Sequence, residues 1–408
     1  MTRALIPVLA LVVGGTTACS DRSSPVDRPP DVSIIPVPAD AGSRYPHLAA
    51  SPGMRPILSW LQPAAGDVFE LRFSEWEGER WTPSRRVASG KDWFVNWADF
   101  PSVVPVTGDV RAAHWLQQKP GNVYSYDVRI AVSVDAGRTW SDPVSPHDDG
   151  TPTEHGFVTL YPAQDALHAV WLDGRHTTGE HEHSGGSGGA MTLRGASIAR
   201  NGSVIGSDSE IDSRVCDCCQ TDVAITHEGP VAVYRDRGPG EVRDIAVVRH
   251  FDGAWSAPIH VHEDGWRIDA CPVNGPAIDA HGSDVVVAWF TAPDRPRVRV
   301  AFSSDGGRSF GPPVEVASDR VAGRVDVVML DDARTIVSWL SEGPSGAEIR
   351  AQAFTGWGVA GPATVIARTS VARSSGFPQM VRAGDGLLFA WTESGDPPRV
   401  RTAHARLP

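Results

Sequence analysis

The chain is poor in lysine. Among 37 basic residues only Lys91 and Lys119 are lysines; the rest are arginines, a bias read here as genome composition rather than function. The 49 acidic residues outnumber them and set a net charge of −12. A chain of that sign is a poor match for a phosphate backbone, so nucleic acid is not an expected partner. Cysteine is also scarce, with five in 408 residues. No Cys-x2-Cys-His stretch is present, which removes covalent haem attachment of that kind. The run Cys216-Asp217-Cys218-Cys219 is read as Cys-x-Cys-Cys rather than as an ordinary zinc spacing. No metal and no other cofactor is therefore expected. Long apolar runs are missing beyond the first residues, and no segment after them could cross a bilayer.

What the chain has is a repeat. Apolar, β-branched runs punctuated by Gly and Pro are strand and turn signals. The stretch from Asp284 to Pro312 shows the unit most plainly, as strand, turn, strand, turn, strand. Its aromatic residue recurs at Trp60, Trp115, Trp171, Tyr234, Trp289, Trp339 and Trp391. An arginine follows in the next strand at Arg72, Arg129, Arg194, Arg299, Arg350 and Arg401, while the fourth unit offers Arg243 or Asp244 there. A period near 50 residues with several strands per repeat signals a β-propeller, one blade per repeat. The expected fold is all-β, with seven four-stranded blades and six as the second choice. The last unit stops after its third strand. The segment Asp31–Val37 has strand character and is expected to supply the missing outer strand, pairing with Val400–Ala405 and removing a free edge.

The N-terminus reads as an export signal: Arg3, an apolar stretch from Ala4 to Gly15, then Thr16-Thr17-Ala18-Cys19. Small residues before a cysteine resemble a bacterial lipoprotein signal, which implies lipidation of Cys19. The expected organisation is a signal at 1–19, a Ser/Pro/Asp-rich tether at 20–30 and one propeller domain at 31–408. The expected location is the outside of a bacterial membrane, as a monomer held there by lipid alone.

Two turns, Ser133-Val134-Asp135-Ala136-Gly137-Arg138-Thr139-Trp140 and Ser303-Ser304-Asp305-Gly306-Gly307-Arg308-Ser309-Phe310, match the Asp box, Ser-x-Asp-x-Gly-x-Thr-Trp. The aspartate accepts backbone N–H groups, the glycine takes a left-handed conformation, and the aromatic residue anchors the hairpin. Asp boxes on repeated four-strand units resemble the sialidase superfamily of propellers. That resemblance implies a glycan substrate and, for true sialidases, cleavage of terminal sialic acid by an arginine triad, a Tyr–Glu pair and an Asp acid. The Arg-Ile-Pro motif of that family is absent here, and no family catalytic residue can be placed by motif.

Antiparallel pairing sorts the loops by face. B–C turns and the connections from D to the next A share one end of the ring, called the top; the Asp boxes lie at the other. The top collects the unusual residues. Glu154, Asp99 and Asp236 are candidate acid–base groups. Arg235, Arg237, Arg175, Arg324 and His155 are candidates for holding an anionic ligand, since guanidinium suits carboxylate and phosphate. The bland alternative is a ring of Arg–Asp pairs that stabilises the loops. Cys216, Cys218, Cys219 and Cys271 are expected to form disulfides in an oxidising compartment, one between blades and one within Cys218–Cys219. A metal or redox site is the alternative. The long loop of the third unit carries Glu180, His181, Glu182 and His183, a polar loop with a metal site as its alternative. Three functions follow: a sialidase-like hydrolase acting on an anionic glycan, a non-catalytic propeller binding a glycan or a protein, and an exported metal or redox protein.

Overall fold

Alternation along one strand explains how the ring is held. Strand B of the fifth blade, Asp284–Thr291, is buried at every position from Val285 to Thr291. Val285, Val287 and Trp289 pack with Val231, Val233, Ile245 and Val247 of the blade before. Val286, Ala288 and Phe290 pack instead with Val325, Val327, Val337 and Trp339 of the blade after. Successive side chains point to opposite faces, so a sheet covered on both faces needs a continuous apolar run. Each buried aliphatic side chain contributes roughly 1.5–3 kcal/mol to that packing.

The computed structural model describes residues 30–407, apart from 122, 165, 178–188, 331–333, 344–345 and 356–357. Among them are seven antiparallel sheets, arranged as a seven-bladed β-propeller. The inner strands are Arg44–Ala49, Ser102–Thr107, His155–Ala163, Asp222–Thr226, Ala277–His281, Val321–Met329 and Gln379–Ala383. The second blade has three regular strands, and Val144 bridges Ile130 where its outer strand would run. The seventh blade is completed by Asp31–Ile35, which pairs with Arg399–Arg406 in the register Val32 to Ala405 and Ile35 to Thr402. The expected closure is what the ring uses. The segments 1–29 and 178–188, with the export signal, Cys19, the tether and the His181/His183 loop, lie outside the described residues.

The aromatic column and the arginine column are one feature. Trp60 stands directly opposite Arg72, Trp115 opposite Arg129, and Trp171 opposite Arg194. The same holds for Trp289 with Arg299, Trp339 with Arg350 and Trp391 with Arg401. Cross-strand neighbours are the unit of sheet stabilisation, so the recurring order of tryptophan and arginine along the chain becomes a contact. The fourth blade departs: Tyr234 faces Ala246, neither Arg243 nor Asp244. Those two residues are displaced toward the top, where they serve the loops.

Both Ser-x-Asp-x-Gly turns have the expected bonding. Asp135 Oδ1 accepts the N–H groups of Arg138 and Thr139 at 2.9 Å each, and Ser133 Oγ accepts Gly137 N–H at 2.8 Å. Asp305 repeats the pattern with Arg308 and Ser309.

Candidate functional site

The chain enters the fourth blade at the top through Cys216–Thr221, after an outer strand Val204–Val215. Cys218 is joined by a disulfide to Cys271, which lies in the connection entering the fifth blade. This is the expected link between blades. The expected Cys218–Cys219 pairing is not formed. Cys216 and Cys219 are buried thiols with sulfurs 3.1 Å apart. They stand three positions apart, so the run contains a Cys-x2-Cys spacing that its reading as Cys-x-Cys-Cys had masked. Burial pushes the Cys216 thiol up. Burial also opposes ionisation of Cys219, but the Cys216 hydrogen bond and the charges of Arg235 and Arg243 outweigh it and bring Cys219 to about 7.

Arg235 sits behind this loop, 1% exposed. Its guanidinium donates to the carbonyls of Asn274 at 2.8 Å, Arg243 at 2.6 Å and Phe290 at 2.7 Å. It also lies 4.9 Å from the Trp266 ring centre. Every side of it is occupied by protein, so it cannot touch a ligand directly, contrary to the expectation from sequence. Arg324 is caged likewise: it donates to Ser375 Oγ and Gly376 O, both at 2.7 Å, and lies 5.1 Å from the Trp97 ring. Burial lowers it to about 10, so it stays charged at neutral pH. Asn274 ties the two together, because its side-chain oxygen accepts the Arg324 N–H at 2.8 Å while its carbonyl accepts from Arg235. Gly323 has φ +78°, and a Cβ there would fall 2.3 Å from that same oxygen. Arg237 reaches the rim but is paired with Glu241 at 2.9 Å and Asp217 at 3.2 Å. Asp236 meets His260 at 3.0 Å, which raises the His260 pKa through that hydrogen bond.

A second cluster lies at the top between the second and third blades. His147 and His155 stack with ring centres 3.9 Å apart. His155 Nε2 meets Asp149 at 3.0 Å, and its Nδ1 meets the Tyr126 carbonyl at 3.1 Å. Both ring nitrogens therefore face oxygen atoms of the protein. Val128 N–H points at His147 Nε2 from 3.3 Å, so that ring accepts there; burial lowers its pKa to about 4. Arg175 donates to Asp173, which is fully buried, at 2.8 Å and to Asp208 at 2.7 Å. Lys119 stands 2.6 Å from Asp127, and Arg194 stands 2.7 Å from Asp208. Two triads here, Asp127/His147/His155 and Asp149/His155/Asp173, have donor atoms close enough for a cation. Lys119 and Arg175 already occupy their carboxylates, so a further cation would have to displace them. His155 and Arg175, nominated for a ligand, are consumed within this network.

Asp99 belongs to a different set. Its carboxylate is 2% exposed and accepts the Phe157 N–H at 2.7 Å and the Tyr126 hydroxyl at 3.2 Å. Burial raises it to about 7, the nearby charge of Glu154 adding to the shift. A Cβ on Gly156 would fall 1.9 Å from its oxygen, which explains a glycine at that position. Three aspartates that sequence reasoning missed do the same thing. Asp222 accepts from Ile278 N–H at 3.0 Å, Asp279 from Met329 N–H at 2.7 Å, and Asp326 from Met380 N–H at 2.6 Å. Each carboxylate latches one inner strand to the inner strand of the next blade. Burial raises Asp222 and Asp279 to about 6 and Asp326 further. An aspartate inside an otherwise apolar inner strand, recurring in consecutive repeats, was the signal available. Asp99 is thus a latch by its bonding. Glu154 remains half-buried at the head of the third blade beside Tyr126, with its carbonyl accepting the Gly174 N–H at 2.8 Å.

No protein-family model matches the chain, and no curated protein matches it. Solved structures do. The chain is similar to a polysaccharide lyase described as a ulvan lyase, with a TM-score of 0.55 at 9% identity over 93% of this chain and 95% of that one. It is similar to the lectin BP39L from Burkholderia pseudomallei, with a TM-score of 0.53 at 13% identity over 88% and 96% of the two chains. A Trypanosoma rangeli sialidase gives a TM-score of 0.48 at 12% identity over 81% of this chain; the matched part is 56% of that longer chain. At these identities the likeness to the lyase and the lectin is one of fold alone.

Proposed function

We propose that this chain is an exported propeller, lipid-anchored through Cys19, whose top face binds an anionic glycan. The observation that carries the reading is the pair of caged guanidiniums. Among the described residues Arg235 and Arg324 have no carboxylate partner; carbonyls and hydroxyls hold them instead. Carbonyls satisfy the donors without cancelling the charge. Two positive charges are thereby fixed beneath the top face in a medium of low polarisability, where their field is weakly screened. An acidic sugar at the mouth would meet that field without displacing either side chain. Arg237 at the rim is the group that could turn from Glu241 and Asp217 to a bound carboxylate.

Binding is favoured over hydrolysis. Of the three nominated carboxyls, Asp99 is sequestered as a latch and Asp236 is held by His260, so these residues do not assemble the opposed pair of carboxyls that glycoside hydrolysis uses. One observation favours the hydrolytic reading: Asp99 at about 7 beside Tyr126 and Glu154 is in the range of a general acid. Fluorogenic sialosides and uronides tested from pH 4 to 8 decide that point. The binding reading is tested by calorimetry of the mature protein against sialylated, uronic-acid and matched neutral oligosaccharides. Binding of acidic members alone supports it. Equal binding of neutral members, or none at all, refutes it.

A further inference from the structure

Four cysteines converge where the fourth and fifth blades begin. Two are joined as Cys218–Cys271, and both of these are half-buried. The other two are each 1% exposed and lie directly behind. The sulfurs of Cys216, Cys218 and Cys219 all lie within 4.8 Å of one another, so both thiols are within reach of one sulfur of the existing bond. Nothing in the packing of the blades requires a dithiol against a disulfide. A single crosslink would tie the two loops together equally well.

We propose that these four cysteines form one thiol–disulfide exchange site, in which the inner Cys216/Cys219 dithiol reduces the outer Cys218–Cys271 disulfide. The chemistry needs no external oxidant. In the form of the pair that holds a single proton, that proton passes from Cys216 to Cys219 across their 3.1 Å contact. The Cys216 thiolate attacks Cys218; a Cys216–Cys218 bond forms and Cys271 leaves as a thiolate. Cys219 loses its proton, through solvent, to Cys271. The Cys219 thiolate then attacks Cys216, forming Cys216–Cys219 and releasing Cys218 as a thiolate. One disulfide and two reduced sulfurs enter, and the same number leave. Exchange of this kind depends on thiolate character and on access to the attacked sulfur. Arg235 and Arg243 contribute to the first, since their charges act against the rise that burial imposes on the attacking Cys216 and favour the thiolate of Cys219. The result moves the reactive pair from the interior to the surface and uncouples the two entry loops. Its partner class is a protein or small molecule that carries a thiol or a disulfide.

The experiment uses the mature chain purified without reductant. It is alkylated with N-ethylmaleimide while folded, quenched in acid, digested and mapped by mass spectrometry. The parent is expected to yield both Cys218–Cys271 and Cys216–Cys219 peptide pairs, with alkylation on Cys271 and Cys218 in the second form. In Cys219→Ser the last attack is blocked, and Cys216 loses its proton to solvent instead, so the first attack still occurs but more slowly. That variant is expected to lose the Cys218–Cys271 pair in favour of Cys216–Cys218, with Cys271 alkylated. Should it fail to fold, the time course in the parent serves alone: label must accumulate on Cys271 although Cys216 and Cys219 are the resting thiols. Recovery of Cys218–Cys271 as the sole pair, with Cys271 unlabelled throughout, overturns the proposal. So does isolation of four thiols holding a stoichiometric metal ion.

Discussion

Two regions at the top of the ring bury arginines in opposite ways. Between the second and third blades, Arg175 is held by Asp173 and Asp208, and Arg194 by Asp208 and Glu210. Positive and negative charges there answer one another, and the cluster presents little field. Between the fourth and fifth blades, Arg235 is held by three carbonyls and faces an aromatic ring. Each of its three nitrogens donates to a carbonyl, yet its charge remains. Saturating donors and cancelling charge are separate requirements. A region that meets both is a structural clamp. A region that meets only the first leaves a potential that a thiol or a ligand can use.

The comparison breaks first under Arg175→Ala. It strands Asp173, which is fully buried, and is expected to cost about 3–5 kcal/mol of stability, the range for breaking a buried pair. The Arg175 partnership holds Asp173 below its usual range, so its contribution is present above the unfolded value and is lost as pH falls. The gap between variant and parent, measured by chemical denaturation, should therefore narrow in acid. Arg235→Ala leaves three carbonyls without donors and is expected to cost roughly 2–4 kcal/mol. Carbonyls do not titrate, so once Cys219, whose thiolate Arg235 favours, has protonated below about 7, this gap should narrow no further in acid. Identical pH behaviour of the two variants would mean that the two regions do not differ as described.

A smaller effect is expected from the latches. Asp279→Ala removes the acceptor for Met329 N–H and should cost about 1–3 kcal/mol at low pH. The folded pKa of Asp279 is raised from 3.8 to about 6, so the folded state binds the proton more tightly than the unfolded chain. Parent stability from this group falls as pH rises through that window, and the variant lacks the fall. The difference between them should thus shrink between those two pH values. The smallest effect belongs to Asp305→Ala. It removes acceptors from Arg308 and Ser309 in one exposed turn far from the top face. Thermal unfolding should shift less than for Arg235→Ala, and glycan binding should not change.

Much of the fold was legible because a repeat writes the same backbone requirement seven times. The Trp60/Arg72 pairing and its five copies are visible in the order of the residues, and the unpaired last unit points to Asp31–Val37, of which Asp31–Ile35 forms the closing strand. The site was legible only as a location. That Arg235, Arg324, Asp236 and the cysteines share one end follows from strand direction alone. What holds each of them does not. Arg235 is caged because Asn274 and Phe290 come from the next blade, residues far away in sequence. The pairing of Cys218 with Cys271 rather than Cys219 likewise depends on how two entry loops converge. The latch role of Asp99 was not legible either, because its partner, the Phe157 N–H, belongs to the neighbouring blade.

The claim that uncancelled charge at the top face serves an anionic ligand is tested most directly by the salt dependence of binding in charge-matched variants. The measurement is the calorimetric Kd of an acidic oligosaccharide for the parent, Arg324→Lys and Arg324→Met, each at low and at high ionic strength, with folding verified by circular dichroism. The account predicts that affinity follows the charge: Arg324→Lys near the parent, Arg324→Met weaker, and both charged forms losing affinity as salt is added. Equal affinity in Arg324→Met and Arg324→Lys, unaffected by salt, would contradict it.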